Sequence, residues 1–445
     1  MKVIHLISGG DSGGAKTHVL SLLQHLNETI TAQLVCFRDG PFADEARAMG
    51  IPTEIMDGNH LLRVRRQLTA YIREGGYQII HCHGARANLM GALLRKTTGL
   101  PVVTTVHSDY KLDYLGRPFS HLTYGNINAW ALRRLDYRIG VSDAMVDLLI
   151  RRGFPADRFY TIYNGVDFTP VPDPGDRVEY LRSLGAEVDA DSVVVGIAAR
   201  LNPVKDISTL IRGFAAAHAQ CARLRLVIAG DGEEEEKLKA LARELGVERE
   251  VAFAGWISGG MDRFYGALDI NALTSLSETF SYAVVEGTRF HLATVSTAVG
   301  GIPYLIDSGV NGFLFQPGDW EALGRDLAAL GNDDALRRSL GEKLYEKASA
   351  RFSIQNMVKT QLHIYGEILR RAGRPRMDRD GVVICGAYGR GNAGDDAILE
   401  AILQEMRGID PDMPMTVLSK DPKSTRLTYR VQAVHRSNVF AWLRA

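Results

Sequence analysis

The chain has 445 residues, enough for two to four domains at the usual ~100 to 200 residues per domain. Apolar residues make up 46% and charged residues 23% of it, which excludes a disordered or fibrous protein. Lysine plus arginine equals aspartate plus glutamate at 52 each, so no overall positive field attracts nucleic acid or an anionic membrane.

The four cysteines (Cys36, Cys82, Cys221 and Cys385) form no CxxC pair and suggest no adjoining histidine cluster. This spacing argues against a disulfide framework and a structural zinc site, and it fits a reducing cytoplasm. The start MKVIHLISGG is too short an apolar run for a signal peptide and predicts a β-strand. No apolar stretch approaches the ~18 residues of a membrane span, so any membrane contact is expected to be peripheral.

Short β-rich runs alternate with helical segments from residue 3 onward, beginning with KVIHLIS, AQLVCF, YQIIHCHG, PVVTTVH and YRIGVS. This alternation predicts βαβ units and a parallel sheet covered on both faces. A stretch rich in proline, glycine and acid after residue 167 ends this pattern, so the first Rossmann-like domain is placed at 1–170.

The pattern resumes with VVVGIAARL, RLRLVIAGDG, VAFAGWI, DINALTS and ATVSTAVG, which predicts a second Rossmann-like domain at 171–371. The charged stretch 372–380 reads as a linker. Residues 381–445 restart a strand, a glycine loop and a helix, and we expect a partial third α/β segment because ~65 residues bury little surface alone.

A glycine-rich turn, GGDSGGAKTHV, joins the first strand to the first helix and places Gly13 and Gly14 at the helix entrance. Glycines there allow a phosphate to approach the positive helix end, and tight turns also use glycine for geometry alone. The segment is neither GxGxxG nor GxxxxGK[ST], so neither the dinucleotide fingerprint nor the P-loop is supported.

Two cations, Arg200 and Lys205, follow a strand and precede a helix predicted to begin near Asp206. The carboxyl end of a parallel strand is where open α/β sheets bind ligands. A diphosphate leaving group needs such cations, because negative charge develops on it as the sugar bond breaks. A surface ion pair with the acidic helix start is the alternative.

Further along, SLSETFSYAVVEGTRF places Glu278 and Glu286 eight residues apart. If a helix begins near Ser281, its amides can hold phosphate, Glu286 can accept bonds from a ribose diol, and Glu278 can reach a transferred sugar. Such glutamate pairs are also common on solvated helices.

In their order along the chain these segments resemble the retaining glycosyltransferases of family 4, of the GT-B superfamily. The matching segments are GGAKTHV, TVH ending in His107, IYNGVD, AARLNPVKD, LVIAGDGEEEEKL, VAFAGWI, ETFSYAVVE, AVGGIPYLI and NGFLFQPGD. The resemblance covers about residues 1–371 and implies an α/β fold of two facing Rossmann-like domains with a cleft between them.

The resemblance also implies site residues. Arg200 and Lys205 would contact the donor diphosphate, Glu278 the donor sugar and Glu286 the ribose. Gly13 and Gly14 would approach the donor phosphates and His107 the reacting bond. Phe280, Ser281 and Tyr282 would complete the donor site.

Two features depart from the family. Ser281 stands where glycine or proline is common, and EGTRFHLA places His291 at a position that is usually small. Three acidic triplets, at 189–191, 378–380 and 410–412, lie in polar stretches, so we read them as turns. We therefore predict no essential metal and no cofactor beyond the nucleotide-sugar donor.

The tail segment GAYGRGNAGDDAILEAILQEMR resembles the start of polysaccharide pyruvyl transferases. The rest of such an enzyme is absent from this sequence, so pyruvyl transfer is not expected. The resemblance favours cell-envelope polysaccharide biosynthesis as the pathway.

A basic helix is predicted over residues 60–76, with Arg63, Arg65, Arg66 and Arg73. It could rest on anionic lipid at the inner face of the plasma membrane and so meet a polyprenyl-linked acceptor, or it could simply be solvated.

The expected activity is retaining sugar transfer from a nucleotide sugar to a glycan or lipid-linked acceptor. One alternative is a sugar-nucleotide 2-epimerase of the same architecture. The other is a non-catalytic donor-binding scaffold for wall-polymer enzymes.

Overall fold

The computed structural model describes residues 1–10, 14–57, 60–109, 126–169, 175–278, 280–373, 381–410 and 413–438. They form two compact units, Met1–Ile162 with Val358–Ala445, and Tyr163–Met357. Each unit is described separately below.

The first unit is built on a seven-stranded sheet of order β3-β2-β1-β4-β5-β6-β7, and every neighbouring pair is parallel. Its strands are β1 (Lys2–Ile7), β2 (Thr31–Cys36), β3 (Thr53–Ile55), β4 (Ile79–His83), β5 (Val102–Val106), β6 (Tyr137–Gly140) and β7 (Phe159–Thr161). Six of its helices are α1 (Gly14–Leu26), α2 (Pro41–Ala48), α3 (Leu61–Gly75), α4 (Ala85–Thr98), α5 (Asn126–Arg134) and α6 (Asp143–Arg151).

The central strands of this sheet are buried along almost their whole length, as their continuous apolar runs predict. Strand β1 lies between β2 and β4, so the strand order reverses beside it. The crevice at such a reversal is where doubly wound sheets bind ligands.

The second unit has a six-stranded parallel sheet of order β10-β9-β8-β11-β12-β13, which reverses between β8 and β11. Its strands are β8 (Val193–Ala198), β9 (Leu224–Ala229), β10 (Val251–Gly255), β11 (Ile270–Leu273), β12 (Ala293–Thr297) and β13 (Phe313–Phe315). Its helices are α7 (Arg177–Ser183), α8 (Ile207–His218), α9 (Glu235–Glu244), α10 (Met261–Gly266), α11 (Tyr282–Thr288), α12 (Ile302–Leu305), α13 (Trp320–Asn332) and α14 (Asp334–Phe352).

Helix α15 (Ile354–Ala372) contributes its residues from Val358 onward to the first unit. A small third sheet of order β14-β15-β16 follows. Its elements are β14 (Val382–Cys385), α16 (Ala393–Ile409), β15 (Met415–Ser419), α17 (Pro422–Tyr429) and β16 (Gln432–His435). Two Rossmann-like parallel sheets and a partial third α/β segment are therefore confirmed.

The third sheet has its own apolar core, in which Leu399 and Leu403 of α16 pack on Ile384 and Val417. Polar contacts join it to the rest of the first unit. Arg430 Nη2 lies 2.6 Å from Asp147 Oδ1 of α6, and the Gln432 amide donates to Asp157. The segment is therefore an appendage of the first unit.

Helix α3 forms within the predicted basic stretch, with Val64, Leu68 and Ile72 buried against the sheet and Leu62 exposed. No helix in the described ranges combines the length and apolar character needed to cross a membrane.

Candidate active site

The predicted cations and the first glutamate lie in two loops at the carboxyl ends of neighbouring strands in the second unit. Arg200 and Lys205 follow β8, and Glu278 follows β11. Because β8 and β11 flank the reversal of strand order, both loops lie at the crevice that open α/β sheets use for ligands.

Hydrogen bonds tie these two loops together. The Thr274 hydroxyl donates to the Lys205 carbonyl at 2.8 Å, and the Leu276 N–H donates to the Val204 carbonyl at 2.8 Å. The backbone that carries Lys205 is therefore fixed relative to the loop that carries Glu278.

An ion pair joins the two predicted site residues of these loops. Lys205 Nζ lies 2.5 Å from Glu278 Oε1, and the Ser275 hydroxyl donates to the same oxygen at 2.8 Å. The Lys205 side chain is 26% exposed and that of Glu278 is 11% exposed, so the pair is largely shielded from water. The ammonium is held at the strand end, where it can meet an incoming anion.

Arg200 is exposed, and its guanidinium forms no ion pair with any residue in the described ranges. The neighbouring backbone is fixed, because the Leu201 N–H donates to the Asp231 carbonyl at 2.7 Å. Gly230 allows this approach: with φ at 134°, a Cβ there would lie 1.8 Å from the Ala199 carbonyl oxygen. Gly230, the first glycine of AGDG, thus lets the loop after β9 pack beside the residues around Arg200.

Glycine plays a similar part beside Glu278. Gly300 has φ at 54°, and a Cβ on it would lie 1.5 Å from the Glu278 carbonyl oxygen. Only glycine lets the loop after β12 pack this closely, so AVGGIPYLI serves to position the glutamate loop.

The second predicted glutamate lies on α11. The helix begins at Tyr282, and Ser281 is its N-cap, with the side chain accepting from the Val284 N–H at 3.4 Å. Burial raises the pKa of Glu286; positive Arg289 opposes this shift and negative Asp262 adds to it.

Two tyrosines lie beside Glu286. Burial raises the pKa of Tyr265 and Tyr282, and the nearby Glu286 charge raises both further. The Tyr265 hydroxyl is close enough to the Glu286 carboxylate to hydrogen-bond with it, whereas the Tyr282 hydroxyl has no hydrogen-bond partner among the described residues. The carboxylate and the hydroxyls together are polar groups suited to a ligand with hydroxyl groups of its own.

Phe280 packs mainly within the protein. Its ring lies 5.3 Å from that of Tyr282 and 5.8 Å from that of Phe352, measured between centroids. It belongs to an apolar cluster of α11, α12 and α14, which fixes the start of α11.

His291 shows why this position is usually small. Its φ of 55° lies in the left-handed region, which glycine adopts most easily. The ring stacks on Tyr345 with centroids 4.0 Å apart, and Nδ1 lies 2.7 Å from Glu342 Oε2. These contacts support a left-handed backbone conformation at a residue larger than glycine.

In the first unit, Gly13 lies outside the described residues, and Gly14 is the first residue of α1. His107 directly follows β5, partly buried, and its ring lies 5.0 Å from that of His18. His107 Nε2 lies 3.3 Å from His83 Nδ1.

Three buried histidines, His5, His81 and His83, were not predicted from the sequence. The prediction that no histidine cluster adjoins the cysteines was wrong, because His81 and His83 flank Cys82 on β4, and β1 pairs His5 with His81. The signal lay in HCH, since residues two apart on a strand share a face. Recognising the third histidine required the strand register.

These three histidines each offer a ring nitrogen within 4.8 Å of the others. Burial lowers the pKa of His5 to about 3, and burial also lowers the pKa of His81, His83 and His107 well below the usual value. All four rings are therefore neutral near pH 7.

Of the acidic triplets, 189–191 forms a turn in which Asp189 accepts from the Ser192 hydroxyl at 2.7 Å and from the Asp191 N–H at 3.1 Å. The triplet at 378–380, and 411–412 of the third, lie outside the described residues.

Two family models match the chain. "Glycosyltransferase Family 4" matches residues 12–169 and "Glycosyl transferases group 1" matches residues 186–347. The putative glycosyltransferase EpsD of Bacillus subtilis is 30% identical over 336 residues, which cover 73% of this chain and 85% of EpsD. A D-inositol 3-phosphate glycosyltransferase of Actinosynnema mirum is 29% identical over 76% of each chain.

Among solved structures, HepE of Anabaena in complex with UDP has a TM-score of 0.71 at 24% identity, covering 82% of this chain and all of HepE. A glycosyltransferase of Rickettsia africae also has a TM-score of 0.71, at 18% identity, covering 83% of this chain and 98% of that one. These two likenesses concern the fold, which is GT-B. On the family models and the EpsD match, the chain belongs to the family 4-type GT-B glycosyltransferases.

Proposed function

We propose that the protein is a retaining glycosyltransferase, which moves a sugar from a nucleotide-diphosphate sugar to a glycan or polyprenyl-linked acceptor. The observation that carries the proposal is the pairing of Lys205 with Glu278, beside exposed Arg200, at the strand reversal of the second unit. A scaffold would not need cations placed to stabilise a leaving group.

The donor diphosphate would lie against Arg200 and Lys205. As the bond between the sugar and the diphosphate breaks, negative charge develops on the leaving oxygen, and fixed cations stabilise it most where water is excluded. Lys205 is largely shielded from water and held by the bonded loops, so little reorganisation is required of it.

Glu278 has two roles in this proposal. It keeps the Lys205 ammonium at the strand end in the absence of donor, and it accepts hydrogen bonds from the sugar hydroxyls when the donor is bound. Glu286 accepts bonds from the ribose diol, with the Tyr265 and Tyr282 hydroxyls nearby. Phe280 and Ser281 support these groups by fixing the start of α11.

The reaction would follow front-face attack. The acceptor oxygen forms its bond to the anomeric carbon on the face that the diphosphate leaves, and the acceptor proton passes to the leaving diphosphate. The anomeric configuration is retained, and no side-chain nucleophile is required. The phosphates would also approach Gly13 and Gly14, and His107 would lie near the sugar.

The UDP bound to HepE supports a nucleotide donor. We further propose a cell-envelope polysaccharide as the product, because the tail segment resembles the start of polysaccharide pyruvyl transferases. Contact of α3 with anionic lipid would bring a polyprenyl-linked acceptor within reach, since Arg63, Arg66 and Arg73 are exposed and cations at a surface attract anionic lipid.

A thermal-shift screen of nucleotide sugars tests the donor, because a ligand that binds only the folded state raises the melting temperature. Product analysis with the best donor then tests the reaction. Free nucleoside diphosphate with an elongated acceptor supports transfer. An isomerised donor identifies an epimerase, and donor binding without turnover over a panel of acceptors identifies a scaffold.

A further inference from the structure

An ion pair lies beside the second glutamate of the candidate site. Arg289 Nη1 lies 2.7 Å from Asp262 Oδ1, and Arg289 Nη2 lies 3.4 Å from Asp262 Oδ2, so both terminal nitrogens of the guanidinium face the carboxylate. The Arg289 side chain is 13% exposed and that of Asp262 is 48% exposed. The arginine is therefore shielded from water, whereas the carboxylate that holds it lies at the protein surface.

Helix geometry places Arg289 next to Glu286. Arg289 directly follows α11 with helical backbone dihedral angles, and its N–H donates to the Glu286 carbonyl at 3.1 Å. Side chains three residues apart on a helix are neighbours, with Cβ atoms ~5 to 6 Å apart. The positive charge of Arg289 is close enough to oppose the rise in the pKa of Glu286. Glu286 is thus a second carboxylate within reach of the same guanidinium.

Helix α10 contacts both of these charged residues. Asp262 and Tyr265 are three residues apart on α10, so they share one face of it. Asp262 accepts from Arg289, and the Tyr265 hydroxyl is close enough to the Glu286 carboxylate to hydrogen-bond with it. Because Asp262 takes the guanidinium, the Glu286 carboxylate has no ion pair within the described ranges.

An ion pair between Arg289 and Glu286 would obstruct the proposed ribose site. A guanidinium only donates hydrogen bonds, and it can occupy both oxygens of a carboxylate at once. The diol of a ribose needs the same oxygens as acceptors, so the guanidinium and the ribose would compete for Glu286. Asp262 removes this competition by accepting from the guanidinium itself.

We propose that Asp262 and Arg289 are positioning residues for Glu286: Asp262 holds the Arg289 guanidinium away from the glutamate and so keeps its oxygens available to the ribose of the nucleotide. This inference rests on the proposed function, in which Glu286 accepts from the ribose hydroxyls. It gives a role to EGTRFHLA, the segment that departs from the family pattern, because this segment brings Arg289 to the ribose site.

Asp262→Asn tests the proposal, because it removes the competing charge and keeps the shape of the side chain. The Arg289 guanidinium should then turn to Glu286, since a hydrogen bond to a carboxylate is stronger than one to a neutral amide. The apparent affinity falls with the fraction of protein that keeps Glu286 open, so nucleoside diphosphate should bind more weakly by a factor of roughly five to ten. Adding Arg289→Met removes the competitor, and the double variant should recover most of the lost affinity.

Calorimetric titration of ADP, GDP, CDP and UDP, each beside its 2′-deoxy analogue, measures the effect at the ribose. The ribonucleotide that wild type binds most tightly should lose affinity in Asp262→Asn, and its 2′-deoxy analogue, which lacks one of the competing hydroxyls, should lose less. Asp334→Asn is the matched control. Asp334 also lies in the first turn of a helix, is 51% exposed and pairs at 2.9 Å with Arg337, whose side chain is likewise 13% exposed. This control should bind every nucleotide as wild type does.

A crystal structure of Asp262→Asn without nucleotide gives a second readout, in which the Arg289 guanidinium should contact Glu286. The proposal is overturned if Arg289 keeps its wild-type position there, or if the double variant binds no better than Asp262→Asn. Equal losses for the ribonucleotide and its 2′-deoxy analogue would also overturn it. If wild type binds none of the nucleotides, the proposed function fails instead, and the crystal structure still tests the position of Arg289.

Discussion

Substitution of Gly300 by alanine should separate the position of Glu278 from the stability of the second unit. A Cβ at this residue would lie 1.5 Å from the Glu278 carbonyl oxygen, and ordinary contacts begin at 3.4 Å. One of the two loops must therefore move by about 2 Å. A 1 Å misplacement of a catalytic group can cost a factor of ~100, so we expect at least that loss in kcat/KM.

The matched control is Gly309→Ala. Gly309 has φ at 79°, so it shares the left-handed backbone of Gly300, whose φ is 54°, but nothing lies within 4 Å of its hypothetical Cβ. Both variants should lose about 1 to 2 kcal/mol of unfolding free energy to backbone strain. The extra loss of turnover in Gly300→Ala then reports the displaced loop.

The assay is the initial rate of nucleoside diphosphate release with the donor found by thermal shift, together with chemical denaturation of each variant. Wild-type turnover in a folded Gly300→Ala variant would refute the reasoning. Loss of turnover in Gly309→Ala as large as that in Gly300→Ala would do the same, because strain alone would then explain the effect.

Substitutions at Lys205, Glu286 and His5 probe the charges of the site and the buried histidines. Lys205→Met should lower kcat/KM by a factor on the order of 100 to 1,000, because a cation that stabilises the leaving group is lost. Lys237→Met removes the cation of an exposed ion pair and should leave kcat/KM unchanged. A kcat/KM close to that of wild type in both variants would contradict the assignment of Lys205 to the site. Glu286→Gln should weaken donor binding in calorimetry. Because burial raises the folded-state pKa of Glu286, the wild type loses stability as pH rises from the ordinary carboxyl pKa to the raised one, and the variant should be the more stable protein above that window. Because the pKa of His5 is lowered to about 3, its contribution to stability is complete above pH ~6.5 and is lost on acidification, by roughly 2 kcal/mol at pH 5. The melting temperature of His5→Leu should therefore fall less between pH 7 and pH 5 than that of wild type. An equal fall in both proteins would count against the burial of a neutral His5 ring.

The sequence predicted the elements of the fold well because buried parallel strands leave continuous apolar runs. It also placed Arg200 and Lys205 correctly at a strand end, since strand and helix signals flank them directly. Helix starts were equally local: Asp206 and Ser281 cap α8 and α11 with their own side chains.

Contacts between distant segments could not be predicted from such local sequence signals. Lys205 and Glu278 are 73 residues apart, and their ion pair depends on β8 and β11 being neighbours. The buried cluster of His5, His81 and His83 depends on the register of β1 against β4, and the tyrosine that contacts His81 is 284 residues away. Such contacts arise from strand order, which no local pattern specifies.

Calorimetric titration measures whether Arg200 and Lys205 form the diphosphate site. The nucleoside diphosphate of the preferred donor is titrated into wild type, into the double variant Arg200→Met with Lys205→Met, and into Lys237→Met. We predict that the double variant loses binding by a factor of at least ~100, since two charge-assisted contacts disappear, while Lys237→Met binds as wild type does. Undiminished binding by a folded double variant would show that the diphosphate binds elsewhere.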